Sequence, residues 1–202
     1  MGQLAGIIAA GLVVIGAGGA AAQDQFRDGS NYMAQRDAAC LGGDLQACAR
    51  QGQSYFAGLR VPQDLTKAAR FLGLACRGGV ASACNELGQL HVSETTRDGG
   101  PSSFHNIPTA LRNFELACTG GIADACLTGA RAAAVPSQHR DFVLAARLLD
   151  TGCSAGSAQA CGMLGQLHEA GVLGNADMAE AVRLYRRACQ AGDQDACSRL
   201  PG

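Results

Sequence analysis

Ala75-Cys76-Arg77-Gly78-Gly79-Val80-Ala81-Ser82-Ala83-Cys84 is the stretch from which the fold can be read. Its pattern occurs five times, in the cysteine pairs Cys40/Cys48, Cys76/Cys84, Cys118/Cys126, Cys153/Cys161 and Cys189/Cys197, each eight residues apart. A glycine stands three places after every first cysteine (Gly43, Gly79, Gly121, Gly156, Gly192). An alanine precedes every second one (Ala47, Ala83, Ala125, Ala160, Ala196). All ten cysteines of the chain are used.

One continuous helix cannot join such a pair. Eight residues rise about 12 Å along a helix and rotate the second side chain by roughly 80°, whereas a disulfide needs its Cα atoms within about 7 Å. The backbone must therefore reverse between the cysteines. The glycine provides the reversal, because it takes the left-handed conformation that ends a helix. The first cysteine then sits in the last turn of one helix and the second in the first turn of the next, with the small alanines allowing close approach. Cysteine counts alone choose no connectivity, but only nearest-neighbour pairing treats all five units alike. A zinc site would want C-x2–4-C spacing, which is absent, and a catalytic cysteine would be one residue with a histidine partner. Each predicted disulfide closes a loop of about nine residues, which the chain-entropy model values at roughly 2–3 kcal/mol.

The chain has 202 residues and a formal net charge of −1, so a polyanion, and nucleic acid with it, is not an expected partner. Aromatic residues are 4 %, tryptophan is absent and Lys67 is the single lysine. The core must be built from leucine, alanine and cystine, and ten paired cysteines imply an oxidising compartment. Residues 1–22 carry no charged side chain, the run from Leu4 to Ile15 is apolar, and Ala20-Ala21-Ala22 before Gln23 fits an A-x-A cleavage site. This reads as a secretory signal peptide, hence a secreted or periplasmic protein with no membrane segment beyond the leader. The leader lacks Lys and Arg, and a retained anchor is the alternative.

Twelve residues before each first cysteine stands Asp28, Asp64, Asn106, Asp141 or Asp177. These are good helix N-caps, since the side-chain oxygen accepts an orphan backbone N–H. The caps are 36, 42, 35 and 36 residues apart, and apolar residues recur at helical spacing between cap and cysteine. A period in the mid-thirties made of two helices is an α-solenoid signature. The expected fold is all-α, a right-handed α-solenoid of stacked αα-hairpins spanning residues 28–200. Its units are 28–63, 64–105, 106–140, 141–176 and 177–200, the last a short cap, in a monomer.

Second helices begin near the second cysteines. Leu87-Gly88-Gln89-Leu90-His91 and Leu164-Gly165-Gln166-Leu167-His168 are nearly identical copies. Tyr55 and Ala133 fill the place of His91 and His168 in other units, which argues for packing there over catalysis. In the third unit Gly129 replaces the usual leucine and Pro136 ends the helix, so this layer is expected to be the weakest. The connection from Glu94 to Ile107 holds the extra residues of the 42-residue period. Insertions in repeat proteins often lie on the binding face, making Phe104 and His105 candidate contacts, with Gln53, Gln89 and Gln166 on the second helices as the other set. A plain surface loop is the alternative for the connection.

The pattern Asp-x5–6-Ala-x5-Ala-Cys-x2-Gly-x3-Ala-Cys-x2-Leu-Gly resembles the Sel-1-like repeat family, a relative of the tetratricopeptide repeats, over roughly Asp28 to Leu200. The paired cysteines resemble its disulfide-rich branch, typified by the Helicobacter cysteine-rich proteins. The resemblance implies secretion and a scaffold or adaptor role toward a protein or peptide through the concave face. It also implies an alternative, since members of that branch are associated with penicillin binding and weak β-lactamase activity. A mitochondrial intermembrane-space assembly factor shares such a repeat and stands as a distant third reading.

The residues weigh against a dedicated enzyme. A serine β-lactamase needs Ser-x-x-Lys, but the single lysine, Lys67, has Asp64 three places before it. His91, His105, His139 and His168 form no H-x-H or H-E-x-x-H. No G-x-S-x-G or G-x-x-x-x-G-K-[ST] is present. No catalytic residue, metal ligand or cofactor is expected, and an interaction scaffold is the leading reading.

Overall fold

The structure, a computed structural model, describes residues 34–94, 100 and 102–201. Every regular element among them is helical. A helical segment at 34–41 (α1) leads to α2 (Leu45–Ala57), α3 (Leu65–Arg77), α4 (Ala81–Val92), α5 (Ile107–Thr119) and α6 (Ala123–Ala134). Then come α7 (Phe142–Ser154), α8 (Ala158–Glu169), α9 (Met178–Gln190) and the short α10 (Gln194–Ser198). Each helix packs on the next, and alternate helices touch across units, α2 with α4, α5 with α7 and α6 with α8. This is an all-α solenoid of stacked hairpins. The leader, the first cap Asp28, residues 95–99 and Pro101 lie outside the described residues.

The reversal inside each hairpin follows from the repeated glycine. Gly43, Gly79, Gly121, Gly156 and Gly192 have φ of 102°, 90°, 91°, 94° and 99°. The next residue donates its N–H to the carbonyl five places back, as Val80 does to Ala75 at 3.0 Å, and the other four turns repeat the bond. These are Schellman endings. A Cβ on Gly79 would meet nothing within 4 Å, so torsion and not space demands glycine there.

The turn leaves paired Cα atoms 4.6–4.7 Å apart. Cys40 is bonded to Cys48, Cys76 to Cys84, Cys118 to Cys126, Cys153 to Cys161 and Cys189 to Cys197, as the spacing predicts. The bonded cysteines form part of the core, as the composition implies. Cys48 and Cys161 are each 1 % exposed, because the start of a second helix is covered by its own hairpin and by the neighbouring units. They are core residues that no partner can touch, and the same holds for Cys40, Cys76, Cys84, Cys118, Cys126 and Cys153. Only Cys189 and Cys197, at the end of the array, are partly exposed.

The first helices start where the caps predict. Asp64, Asn106, Asp141 and Asp177 accept the N–H of Lys67, Thr109, Leu144 and Glu180 at 2.9, 3.0, 2.8 and 2.9 Å. Second helices are capped less uniformly. Asp44, Ser157 and Asp193 accept such bonds, whereas Val80 and Ile122 bring no side-chain acceptor.

Units interlock through size complementarity. Four places before the first cysteine stand Leu72, Phe114, Leu149 and Tyr185, each at most 1 % exposed. Opposite them in the preceding unit is a residue four places after the second cysteine, and it is small. A Cβ on Gly52 would lie 2.6 Å from Leu72 Cγ, one on Gly88 2.8 Å from the Phe114 ring, and one on Gly165 2.7 Å from Tyr185 Cε1. The third unit departs from this. Ala130 takes the glycine position, and Gly129 takes the leucine position with its would-be Cβ 2.8 Å from Phe114 Cβ and 3.0 Å from Leu148 Cδ1. The α6/α7 seam is the least extensive of the four between units, at the place expected to be the weakest layer.

Candidate interaction surface

The repeat position seven places after the second cysteine is a backbone clip. The carbonyls of Tyr55, His91, Ala133 and His168 accept the N–H of the next unit's caps, Asp64, Asn106, Asp141 and Asp177, at 3.0, 2.8, 2.8 and 3.0 Å. A backbone bond explains why the position accepts Tyr, His or Ala. The side chains add local packing. Tyr55 stacks on Phe71 with ring centroids 5.8 Å apart. His91 Nδ1 lies 2.7 Å from the Phe104 carbonyl and, facing an acceptor, donates to it.

The long connection is therefore tied down on its return. Ser102 donates its N–H to the Glu94 carbonyl at 2.8 Å, and the Phe104 ring meets the His91 ring edge-on at 6.4 Å. The two loop candidates divide here. Phe104 is half-buried and packs against the core, while His105 is exposed.

Gln53, Gln89 and Gln166 share one register, five places after the second cysteines Cys48, Cys84 and Cys161. Gln53 and Gln166 are exposed and Gln89 is half-buried. In the third unit the same register holds Arg131, exposed and unremarked in the sequence reading, although counting from Cys126 would have found it. An open cleft of about 640 Å³ brings Arg131 of α6 together with Gln159, Met163 and Gln166 of α8 and with Asp193 and Asp195 at the start of α10. Gln53, Gln89, Phe104 and His105 lie outside it. Asp193 is held in place by accepting the N–H groups of Asp195 and Ala196 at 3.1 and 3.2 Å. One guanidinium, the three primary amides of Gln159, Gln166 and Gln194 and two carboxylates around a thioether can hydrogen-bond a peptide backbone and sort its side chains by charge.

Tyr185, which lines the cleft, donates its hydroxyl to Glu169, and Arg199 donates to the same carboxylate at 3.0 Å. Burial, reinforced by Glu169, pushes the Tyr185 hydroxyl up to about 12, so it remains a donor. The trio ties α8, α9 and α10 together. Among the described residues no group of three or more His, Cys, Asp or Glu could hold a metal ion.

Disulfide-tied hairpins in register, with a variable outward position on each second helix, define a helical-repeat protein of the interaction-scaffold class. The Sel1 repeat model matches residues 45–80, 81–122 and 158–193. The chain belongs to the Sel1 repeat family. Each match runs from a second helix into the following first helix, and the stretch left unmatched between them holds α6 and α7, the thin seam. The chain is similar to c5321, a protective antigen of uropathogenic Escherichia coli strains displaying an SLR fold (TM-score 0.66, 21 % identity, 81 % of this chain and 34 % of that one). It thus spans about a third of that protein's length. It is also similar to a Sel1 repeat protein from Oxalobacter formigenes (TM-score 0.58, 19 % identity, covering 84 % and 67 %). Helicobacter pylori cysteine-rich protein B matches at TM-score 0.47 and 24 % identity, over 68 % of this chain and 96 % of that one. No curated protein matches the sequence.

Proposed function

We propose that this chain is an exported scaffold that captures a protein or peptide partner on its second-helix face, centred on the cleft of Arg131 and Gln166. The observation that carries the reading is the register itself. Packing positions repeat while the outward position changes from Gln to Arg between units, as expected of a surface that reads a partner rather than one that only solvates a helix. Five disulfides support export, because such bonds persist in oxidising compartments. The apolar, uncharged residues 1–22 support it independently, and N-terminal sequencing of exported material should begin at Gln23. No described helix is long and apolar enough to cross a membrane.

The test places a photo-crosslinking residue at 166 in protein expressed in its own host and exported. Adducts to one protein species from 166, and none from a crosslinker at exposed Thr66, are expected. Absence of a specific adduct from 53, 89, 105, 131 and 166 alike would refute the scaffold reading.

A further inference from the structure

The first helices carry a charge register across the units. Six places before the first cysteine the residue is arginine in four units: Arg70, Arg112, Arg147 and Arg183, all exposed. The facing place in the preceding unit is three before its first cysteine. Arg147 shows the contact, with Nη2 2.5 Å from Glu115 Oε1. Arg183 repeats it more loosely: its guanidinium is held charged first by Glu180 and also by Asp150 of α7. Asp37 stands at the place that faces Arg70, but the two form no ion pair.

One rung lacks its acid. The residue facing Arg112 is Gly73. A Cβ there would lie 3.3 Å from Arg77 Nη1, so a second guanidinium folds over the gap. Neither Arg77 nor Arg112 has an ion pair among those formed by the described residues.

A second departure from the repeat falls at the same seam. Five places before the first cysteine the residues are Phe71, Leu148 and Leu184 in three units, but Asn113 in α5. Asn113 is 7 % exposed, and its Nδ2 is buried without a partner. Its Oδ1 lies 3.9 Å from Cys76 Sγ, which places the amide on the face of α3 that Gly73 and Cys76 share, one turn apart. Two substitutions distant in sequence, glycine for acid and amide for apolar, therefore fall on opposite sides of one seam. Together they leave Arg77 beside the unfilled place at Gly73 and, across the seam on α5, Arg112 without an ion pair next to the unpartnered Asn113 N–H.

We propose that the α3/α5 seam at Gly73 is a binding site for a carboxylate side chain of an acidic peptide segment, which completes the rung from outside. Arg112 and Arg77 supply charge-assisted bonds, and the Asn113 amide supplies the third donor. The site lies on the first helices, and it rests on the scaffold reading in that it assigns the chemistry of one partner contact.

The probe is N-acetyl-hexaglutamate amide, titrated into 15N-labelled disulfide-intact protein, with N-acetyl-hexaglutamine amide and inorganic phosphate as separate arms. The acidic peptide is expected to shift the Arg112 Nε–H and Asn113 Nδ2–H signals, and the glutamine peptide is not. Phosphate should bind at least tenfold more weakly. Gly73→Glu supplies the carboxylate internally and should abolish peptide binding, and Arg112→Gln should weaken it at least tenfold. Arg50→Gln, on α2, should leave it unchanged. Circular dichroism establishes that each variant is folded, and Arg112→Gln decides the matter if Gly73→Glu is not. No binding by the wild type, binding unaffected by Arg112→Gln or by folded Gly73→Glu, or phosphate as tight as peptide overturns the proposal. A crosslinked partner that Gly73→Glu still captures would remove this site and leave the scaffold reading standing. Loss of every adduct removes the scaffold reading first.

Discussion

Gly88→Ala tests the interlocking of units most directly, because two opposing effects of known size meet at one methyl group. In an exposed helix interior the change would gain about 1 kcal/mol from propensity. Here the new Cβ would stand 2.8 Å from Cδ1 and Cε1 of Phe114 and 3.0 Å from Cζ. Phe114 is 0 % exposed and cannot swing away, so overpacking costs roughly 1–3 kcal/mol. The net expectation is a loss of about 1 kcal/mol. Phe114→Leu alone should lose roughly 1–2 kcal/mol through the space left behind. The double variant recreates the pair that the next seam already uses, Ala130 with Leu149, and should lose less than the sum of the two. A coupling energy of about 1–2 kcal/mol is expected for residues in contact. Guanidinium unfolding of the disulfide-intact protein, followed by far-UV circular dichroism, gives all four stabilities. Additive losses, or an alanine at 88 that stabilises on its own, would refute the knob-and-glycine account.

Three further outcomes are expected. Limited reduction by a dithiol followed by alkylation and peptide mapping should label Cys189 and Cys197 first, because both are partly exposed while the other eight cysteines are at most 7 % exposed; first labelling of any other pair, such as Cys40 with Cys48 or Cys153 with Cys161, contradicts this. Burial raises the Glu86 carboxyl from 4.5 to about 7 in the folded chain, so folding takes up a proton between those pH values and stability falls as pH rises through that window. Discounted for the exposed part of the side chain, Glu86→Gln should gain roughly 1–2 kcal/mol at pH 8 and flatten the profile; an unchanged slope refutes it. Hydrogen exchange read by mass spectrometry should show amides of α6 and the start of α7 opening before those of α4 and α5, since the α6/α7 seam is thinner; equal protection would mean that the substitution at Gly129 is compensated.

Much of the fold was legible because its determinants are local. Gly79 reverses the chain and Asp141 caps a helix within a few residues of themselves, and such rules need no knowledge of distant contacts. The cysteine pairing followed for the same reason. That cystine belongs to the core was legible from the scarcity of large apolar residues; what covers Cys48 and Cys161 was not, since their cover comes from stacked units and not from the turn that joins them to Cys40 and Cys153. The interlocking of Gly88 with Phe114 was hard to read likewise, because the partners are 26 residues apart and their relation exists only once the units stack. The surface candidates show the limit most clearly. Phe104 was a candidate because it lies in an insertion, and only the structure shows that its half-buried ring packs against the core and that its carbonyl accepts from His91. Arg131 and Gly73 passed unnoticed because neither is unusual in composition. Each becomes visible only when compared with its counterparts in the same register.

The same comparison shows where this chain has room for function. In a quasi-one-dimensional array each unit contacts mainly its neighbours, so stability is close to a sum of units and seams. A repeat position that serves stacking is constrained alike in every unit, and a departure weakens one seam unless something offsets it. The departures here are not scattered. Gly73 and Asn113 lie along the α3/α5 seam, the long connection joins α4 to α5, and Gly129 lies at the thin α6/α7 seam. All three border the hairpin of α5 and α6. That hairpin keeps its own disulfide, with Cys118 and Cys126 at 3 % and 1 % exposure, so the relaxation concerns how the third unit meets its neighbours and not whether it folds. The Arg131 cleft begins on the same hairpin. Irregular seams, an extra loop and the outward guanidiniums of Arg112 and Arg131 on one covalently secured unit suit recognition: a hairpin held rigid by its cystine, with neighbours free to differ around it.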